Sequence, residues 1–269
     1  MRVARTVAEV RRELEPAWAA GRRIGLVPTM GAFHDGHVSL IRASLTECEI
    51  SVVSLFVNPT QFGPGEDFAR YPRDPAADER TARELGVDLL FAPDVDEMYP
   101  PGFDTTVDPG AIATVLEGAA RPGHFRGVST VCVRLFGIVR PTVAYFGRKD
   151  AQQVAVVKQV VRDMCIPVDI RPMPTVRDAD GLALSSRNAY LSHEERAVAL
   201  GLPRALEAGA RAHAAGADPV AAARGVLEAE PRLAVDYVAV ADLDGPTLAA
   251  AVRIGTTRLI DNVALTSGT

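Results

Sequence analysis

The segment Val27-Pro28-Thr29-Met30-Gly31-Ala32-Phe33-His34-Asp35-Gly36-His37 sets two imidazoles three residues apart where an apolar run gives way to small residues. The pattern predicts a strand that ends, a short turn, and a helix that begins at the second histidine. A helix start offers unpaired N–H groups and partial positive charge, both suited to phosphate, and two imidazoles at this spacing can face one ligand there. Gly36 would let that ligand approach the backbone closely. The alternatives are a pair of solvated turn histidines or half of a metal site. No third ligand type lies nearby, so no residue is assigned as a metal ligand.

Three further segments could act on the same ligand. Asn58-Pro59-Thr60-Gln61 follows the next apolar run, and neutral amides can orient hydroxyl and carboxylate groups without adding charge. Gly147-Arg148-Lys149-Asp150-Ala151-Gln152-Gln153 again joins a strand to a helix. There Lys149 could neutralise a phosphate, Asp150 could cap the helix or hold a ribose hydroxyl, and Gln153 would lie on the first turn. Ser185-Ser186-Arg187 combines two hydroxyls with a fixed cation, a pattern suited to polyphosphate oxygens but also common in linkers. Arg121-Pro122-Gly123-His124 reads as a basic loop before a helix. Asp74, Asp78 and Glu79 open another helix, where the helix dipole alone favours carboxylates.

These residues need a scaffold. From Ile24 to about Val176, short β-branched runs alternate with helical patterns, which predicts a doubly wound parallel α/β sheet of the Rossmann-like type. The expected strands are 24–28, 50–57, 88–92, 142–146 and 168–173. The expected helices are 37–46, 75–85 with Gly86 as a stop, 111–117, 128–139 and 151–164. After the serine pair, Ala-rich helices at 193–215 and 219–230 and strands at 235–240 and 253–260 predict a smaller C-terminal α+β domain. The organisation expected is a domain over 1–175 and a second over 176–269.

The chain has 269 residues, 48% of them hydrophobic and 23% charged, enough to bury a sizeable core without staples. Lys plus Arg is 29 against 34 for Asp plus Glu, a net charge of −5 that argues against a nucleic-acid partner. Three scattered cysteines, Cys48, Cys132 and Cys165, show no ligand spacing and read as packing residues in a reducing compartment. Residues 1–16 lack the continuous apolar core of a secretory signal and read as a first amphipathic helix. Every later apolar run is broken well short of the ~18 residues a membrane span requires. The expectation is a cytoplasmic protein without a membrane partner.

In this order and spacing, the segments resemble the pantothenate synthetases, the ATP-dependent pantoate:β-alanine ligases of the two-histidine nucleotidylyltransferase superfamily. The resemblance runs from about Gly25 to Asn262. It also takes in residues 65–73, Met98-Tyr99-Pro100, and Gly255-Thr256-Thr257-Arg258-Leu259-Ile260-Asp261-Asn262. It implies that His34 and His37 contact the ATP phosphates, with Lys149 supporting the same charge and Ser185, Ser186 and Arg187 closing over it. It further implies that Gly147 and Asp150 hold the ribose, that Gln61 and Gln153 grip pantoate, that Met30 lines its pocket, and that Asn58 and His124 assist nearby. Magnesium would travel with ATP, and the assembly would be a homodimer. Ala151 stands where many members carry an aromatic residue, and the serine loop lacks the lysine of its synthetase counterpart. The implied chemistry is formation of a pantoyl adenylate with loss of pyrophosphate, then attack by the β-alanine amine with loss of AMP. A nucleotidylyltransferase that keeps the nucleotide in its product, and a nucleotide-binding regulator without turnover, are the rival readings. Free AMP as a product separates the first from the ligase, and the second would bind ATP but release no pyrophosphate with any acid.

Overall fold

Aliphatic runs with little polar interruption suit strands covered on both faces. In the computed structural model, which describes residues 1–265, such runs form the centre of a parallel sheet. In chain order the elements are β1 (Arg2–Ala4), α1 (Val7–Ala19), β2 (Ile24–Thr29), α2 (Asp35–Glu47), β3 (Ile50–Leu55), α3 (Pro75–Leu85), β4 (Leu89–Phe91), α4 (Val95–Met98), α5 (Glu117–Ala120) and α6 (His124–Val139). They continue with β5 (Val143–Gly147), α7 (Ala151–Asp163), β6 (Asp169–Met173), α8 (His193–Ala199), α9 (Gly201–Ala214), α10 (Pro219–Glu228), β7 (Ala234–Asp242), β8 (Pro246–Ile254) and β9 (Thr257–Ala264). Two compact units result: Met1–Gly147 with Val156–Met173, and Arg148–Ala155 with the chain from Pro174.

The first unit holds a six-stranded parallel sheet of order β1-β4-β3-β2-β5-β6. The order reverses at β2, which pairs with β3 on one side and β5 on the other. Leu26, Val27, Val52, Val53 and Phe91 on these strands are fully buried. Helix α2 packs closely over Gly25, where a Cβ would meet Ser44 Oγ at 2.3 Å and Cys48 Sγ at 3.0 Å. The Ser44 and Ser51 hydroxyls hydrogen-bond at 2.9 Å, so the polar atoms of this contact satisfy each other.

The second unit holds the antiparallel sheet β7-β8-β9 with α8, α9 and α10. Leu202, Leu206, Leu227, Leu248 and Ile254 form its core. Arg177 closes a two-pronged ion pair on buried Asp261, with N–O distances of 2.6 and 3.0 Å. Among the described residues, no helix is long and apolar enough to cross a membrane.

The doubly wound class is as expected, and several elements differ from the sequence reading. Residues 2–4 form β1 beside β4, and the first helix starts only at Val7, after a capping box between Thr6 and Glu9. The helix expected at 111–117 is a 3-10 turn, Gly110–Thr114, followed by α5, because Leu116 takes a φ of 48° that a continuous helix does not admit. The helix expected over 193–215 breaks at Leu200 into α8 and α9. The strand expected over 253–260 straddles the turn at Gly255, whose φ is +54°, so two strands occupy the region. Cys132 is buried in packing, whereas Cys165 is exposed at the turn after α7.

Helix α6 crosses the 3-10 turn Pro59–Gln61 at Gly127, where a Cβ would lie 2.3 Å from Thr60 O and 2.6 Å from Gln61 N. Both obstacles are backbone and cannot rotate away. Gly127→Ala is therefore expected to lower the unfolding free energy by about 1–3 kcal/mol, the usual range for overpacking. Urea unfolding measures this, and an unchanged midpoint would mean that α6 has room to shift.

Candidate active site

Ligands of doubly wound sheets bind outside the carboxyl ends of the strands, where the strand order reverses. Here that point lies between β2 and β5, and the loop after β2 carries both histidines. Helix α2 begins at Asp35 and not at His37, because His34 is its N-cap. The two histidines form a reciprocal capping box, a job usually done by a hydroxyl and a carboxylate. His34 Nδ1 accepts the Gly36 N–H at 3.1 Å, and His37 Nδ1 accepts the His34 N–H at 3.4 Å. With Nδ1 an acceptor in both rings, the neutral imidazoles carry their protons on Nε2. The rings lie 4.2 Å apart between centroids, so the capping geometry holds two Nε2 donors side by side.

A residue read in the sequence as a mere dipole partner bonds to the turn that precedes this pair. The Asp78 carboxylate, on the first turn of α3, accepts the Ala32 N–H at 2.9 Å and the Phe33 N–H at 2.8 Å. Burial raises its pKa and the negative charge of Asp74 adds to the rise, while the two N–H donors oppose it.

The amides after β3 form a second set. Asn58 Oδ1 accepts the Thr60 N–H at 3.3 Å, and its Nδ2 donates to Gly127 O at 3.1 Å. These two backbone groups settle which end of the amide is oxygen. The Gln61 atom 3.0 Å from Asn58 Nδ2 must then be its oxygen, which turns the Gln61 NH2 group toward Met30 Sδ at 3.2 Å. Tyr99 completes the chain by donating its hydroxyl to Asn58 Oδ1 at 2.7 Å. Asn58 is thereby saturated, and the Gln61 amide turns its donors away from Asn58 and toward Met30.

His124 opens α6, so it is not on a loop preceding a helix; Gly123, at φ +86°, is the N-cap. Its Nδ1 lies 2.9 Å from Gln61 O and must donate, since a carbonyl only accepts. Nε2 then accepts from Arg121 at 3.2 Å, and Arg121 grips the Glu66 carboxylate through two bonds of 2.8 and 2.7 Å. Burial, reinforced by the charge of Arg121, lowers the pKa of His124 to about 4. Burial pushes the Glu66 carboxyl upward, but hydrogen bonds and charge from Arg121 outweigh it, and the net shift is downward.

The first unit thus brings together Met30, Asn58, Gln61 and His124 in one network, and His34 with His37 in another; Gly147 ends β5 in the same unit. In the second unit, Arg148–Asp150 form a 3-10 turn leading into α7, on which Gln153 lies. Asn262 on β9 donates to Arg148 O at 2.9 Å and Lys149 O at 2.8 Å, and Arg148 pairs with Asp244 at 3.1 Å. Ser185 caps a 3-10 turn, Ser186–Tyr190, by accepting the Arg187 N–H at 3.3 Å. Asp78, Glu66, Tyr99 and Asn262 are the supporting residues to which the sequence reading gave no role. Only the last three lay inside segments that carried the family resemblance.

The reversed parallel sheet, with a paired-histidine helix start at the edge where such sheets take their ligands, places the chain in the Rossmann-like α/β class. The family model described as pantoate-beta-alanine ligase matches residues 2–264, and the chain belongs to that family. It is 51% identical to a pantothenate synthetase of Moorella thermoacetica, covering 98% of this chain and 99% of the relative. It is 53% identical to one of Chloroflexus aggregans, covering 97% and 99%. The crystal structure of the Thermus thermophilus pantothenate synthetase superposes with a TM-score of 0.92 at 46% identity, covering 98% of this chain and 99% of that one. A Francisella tularensis pantoate-beta-alanine ligase, complexed with beta-gamma ATP and beta-alanine, gives 0.86 at 34% identity, covering 100% and 99%.

Between pH 6.5 and about 4 the unfolded chain protonates His124 whereas the folded chain does not. The unfolded state therefore binds more protons there, and stability falls as the pH drops through that window. At about 1.4 kcal/mol per pH unit the loss amounts to roughly 3 kcal/mol. His124→Gln should flatten the slope. Urea unfolding at about pH 7 and about pH 4.5 measures it, and an equal slope in both proteins would contradict the buried neutral imidazole.

Proposed function

We propose that this enzyme, an ATP-dependent ligase that joins pantoate to β-alanine to give pantothenate, works through an acyl adenylate. A carboxylate is a poor acyl donor because its leaving group would be oxide. The pantoate carboxylate oxygen therefore bonds to the α-phosphorus of ATP as the bond to the β-phosphate oxygen breaks and pyrophosphate leaves. The β-alanine nitrogen then bonds to the acyl carbon, gives up a proton to solvent, and displaces AMP. Neither step requires an enzyme nucleophile. Burial pushes the Cys132 thiol up to about 12, which leaves it inert.

The observation that carries this reading is the histidine pair, held by its own capping bonds with both protons on Nε2. Preorganised donors of this kind stabilise charge as it develops on phosphate oxygens without reorganising during the step. In this reading Lys149 adds a cation to the same phosphates, Gly147 and Asp150 hold the ribose, and Ser185, Ser186 and Arg187, from the domain over 176–269, cover the nucleotide. Gln61 donates to pantoate, Gln153 grips it, and Met30 lines its pocket. Asn58 acts by fixing the Gln61 amide, and His124 acts through the Gln61 carbonyl. The donor set near the phosphates is imidazole N–H and ammonium, which suits phosphate oxygens. Magnesium would thus be held mainly by those oxygens and water, and would supply charge neutralisation when bound. The Francisella relative in complex with beta-gamma ATP and beta-alanine supports the same substrate set. Homodimer assembly rests on the family resemblance and is checked by sedimentation.

Pantoate alone should support exchange of labelled pyrophosphate into ATP. A strict requirement for β-alanine before any exchange would overturn the stepwise route. His37→Ala and Lys149→Ala should each lose on the order of 100-fold in turnover with little change in melting. Near-native turnover in both would remove the phosphate assignment. Arg187→Ala should lower kcat more than it raises KM for ATP, as expected of a contact formed mainly during attack. Unchanged values for both constants would reduce the serine loop to a linker.

A further inference from the structure

The turn that delivers His34 is built in a way that neither helix propensity nor ligand contact explains. Gly31 has a φ of +85° and Ala32 a φ of +52°, two successive left-handed residues, the second of them not a glycine. A non-glycine residue in this region is strained and persists only where its surroundings over-determine it. The surroundings here include one buried carboxylate. Successive N–H groups in such a turn converge on an anion, and those of Ala32 and Phe33 converge on Asp78, one on each oxygen.

The fit is close enough to dictate the neighbouring residue. A Cβ at Gly31 would lie 2.7 Å from Asp78 Oδ2 and 2.7 Å from Leu55 Cδ1, so only glycine admits the carboxylate. Asp78 is itself buried, 3% exposed, on the first turn of α3. It is held from behind, because Asp74 caps that helix by accepting the Ala77 N–H at 2.9 Å. The bonded residues lead straight to the imidazoles. Phe33 sets its ring 5.5 Å from that of His37, and the next N–H along the chain, that of His34, reaches His37 Nδ1.

We propose that Asp78 is a positioning residue for the paired histidines: its carboxylate locks the turn Gly31–Phe33 and thereby the orientation of the His34 and His37 rings. This rests on the reading that those rings meet the ATP phosphates. The negative charge that satisfies the turn comes from the protein, so the nucleotide need not organise the loop that receives it. An asparagine at this position keeps the shape and one acceptor but turns an NH2 group against the second N–H.

The test compares Asp78→Asn, Gly31→Ala, His37→Ala and the Asp78→Asn/His37→Ala double variant. Pyrophosphate exchange supplies kcat and the KM for ATP and for pantoate, and amide hydrogen exchange follows Ala32 and Phe33. Asp78→Asn is expected to speed exchange at both amides and to lower kcat on the order of 10–100-fold with the pantoate KM unchanged. In the His37→Ala background the same substitution should lower kcat by less than about threefold, since the ring it positions is gone. Gly31→Ala should reproduce the Asp78→Asn behaviour with the carboxylate intact, which separates the clamp from any other effect of losing the charge. If His37→Ala loses turnover but Asp78→Asn stays within about twofold of the parent, or multiplies fully with His37→Ala, Asp78 does not position the pair. If His37→Ala itself keeps parental turnover, the phosphate reading fails, and the amide exchange at Ala32 and Phe33 still reports whether Asp78 holds the turn.

Discussion

Strand β2 is hydrogen-bonded in parallel on both sides, and the placement of the candidate residues in the first unit depends on that. A parallel strand must leave its sheet at the carboxyl edge and return by a crossover, so the turns after β2 and β3 emerge at the edge where Gly147 ends β5. Because the order reverses at β2, the strands that follow β2 and β5 in the chain, β3 and β6, lie on opposite sides of the loop that carries His34 and His37. Gly25 adds the second dimension. By omitting a side chain it lets Ser44 of α2 and Cys48 at its C-cap settle against β2, which fixes the height of the helix whose start the histidines cap. A larger residue there would move the imidazoles with the helix.

Upon this frame the site is built from hydrogen bonds that are spent before any substrate arrives. Asn58 uses both its amide donors and its oxygen, and the direction of the Gln61 amide follows from backbone groups of Thr60 and Gly127. Such saturation removes rotamer and flip freedom that a ligand would otherwise have to freeze out. It suits a reaction that proceeds by placing three substrates and stabilising charge, with no covalent enzyme intermediate.

Much of this was legible in the sequence, for identifiable reasons. The two-histidine turn, the amides after β3 and the Lys-Asp segment were readable because each falls where an aliphatic run stops, and strand ends in such folds are where ligands sit. The misses have physical causes. Ala249, Ala250 and Ala251 look helical by propensity, yet they lie buried at the centre of β8 between two partner strands, with Ala250 on the face whose core α9 and α10 complete. Residues 2–4 make a strand only through β4, more than eighty positions away. Asp78 was hidden more thoroughly: a carboxylate on the first turn of a helix is favoured there by the dipole, and nothing local discloses that its oxygens reach N–H groups more than forty residues upstream.

The three histidines near the first unit's site show why residue type alone could not assign roles. All are imidazoles within one sheet edge, but the hydrogen-bond partner of Nδ1 differs. In His34 and His37 it is a backbone N–H, which drives the proton to Nε2. In His124 it is the carbonyl of Gln61, which holds the proton on Nδ1 and leaves Nε2 to accept from Arg121. The chain carries a net charge of −5 and must still collect a polyanion. Bulk charge opposes that, so local arrangement has to overcome it. Two acids of the first unit are already committed, Asp78 to two N–H groups and Glu66 to Arg121, while Asp35, exposed between the histidines, sits on the first turn of α2 where the helix dipole favours it. With the Asp78 and Glu66 charges answered inside the protein, what a net acidic chain sets against a phosphate at the end of β2 is local, the paired imidazoles and the start of α2.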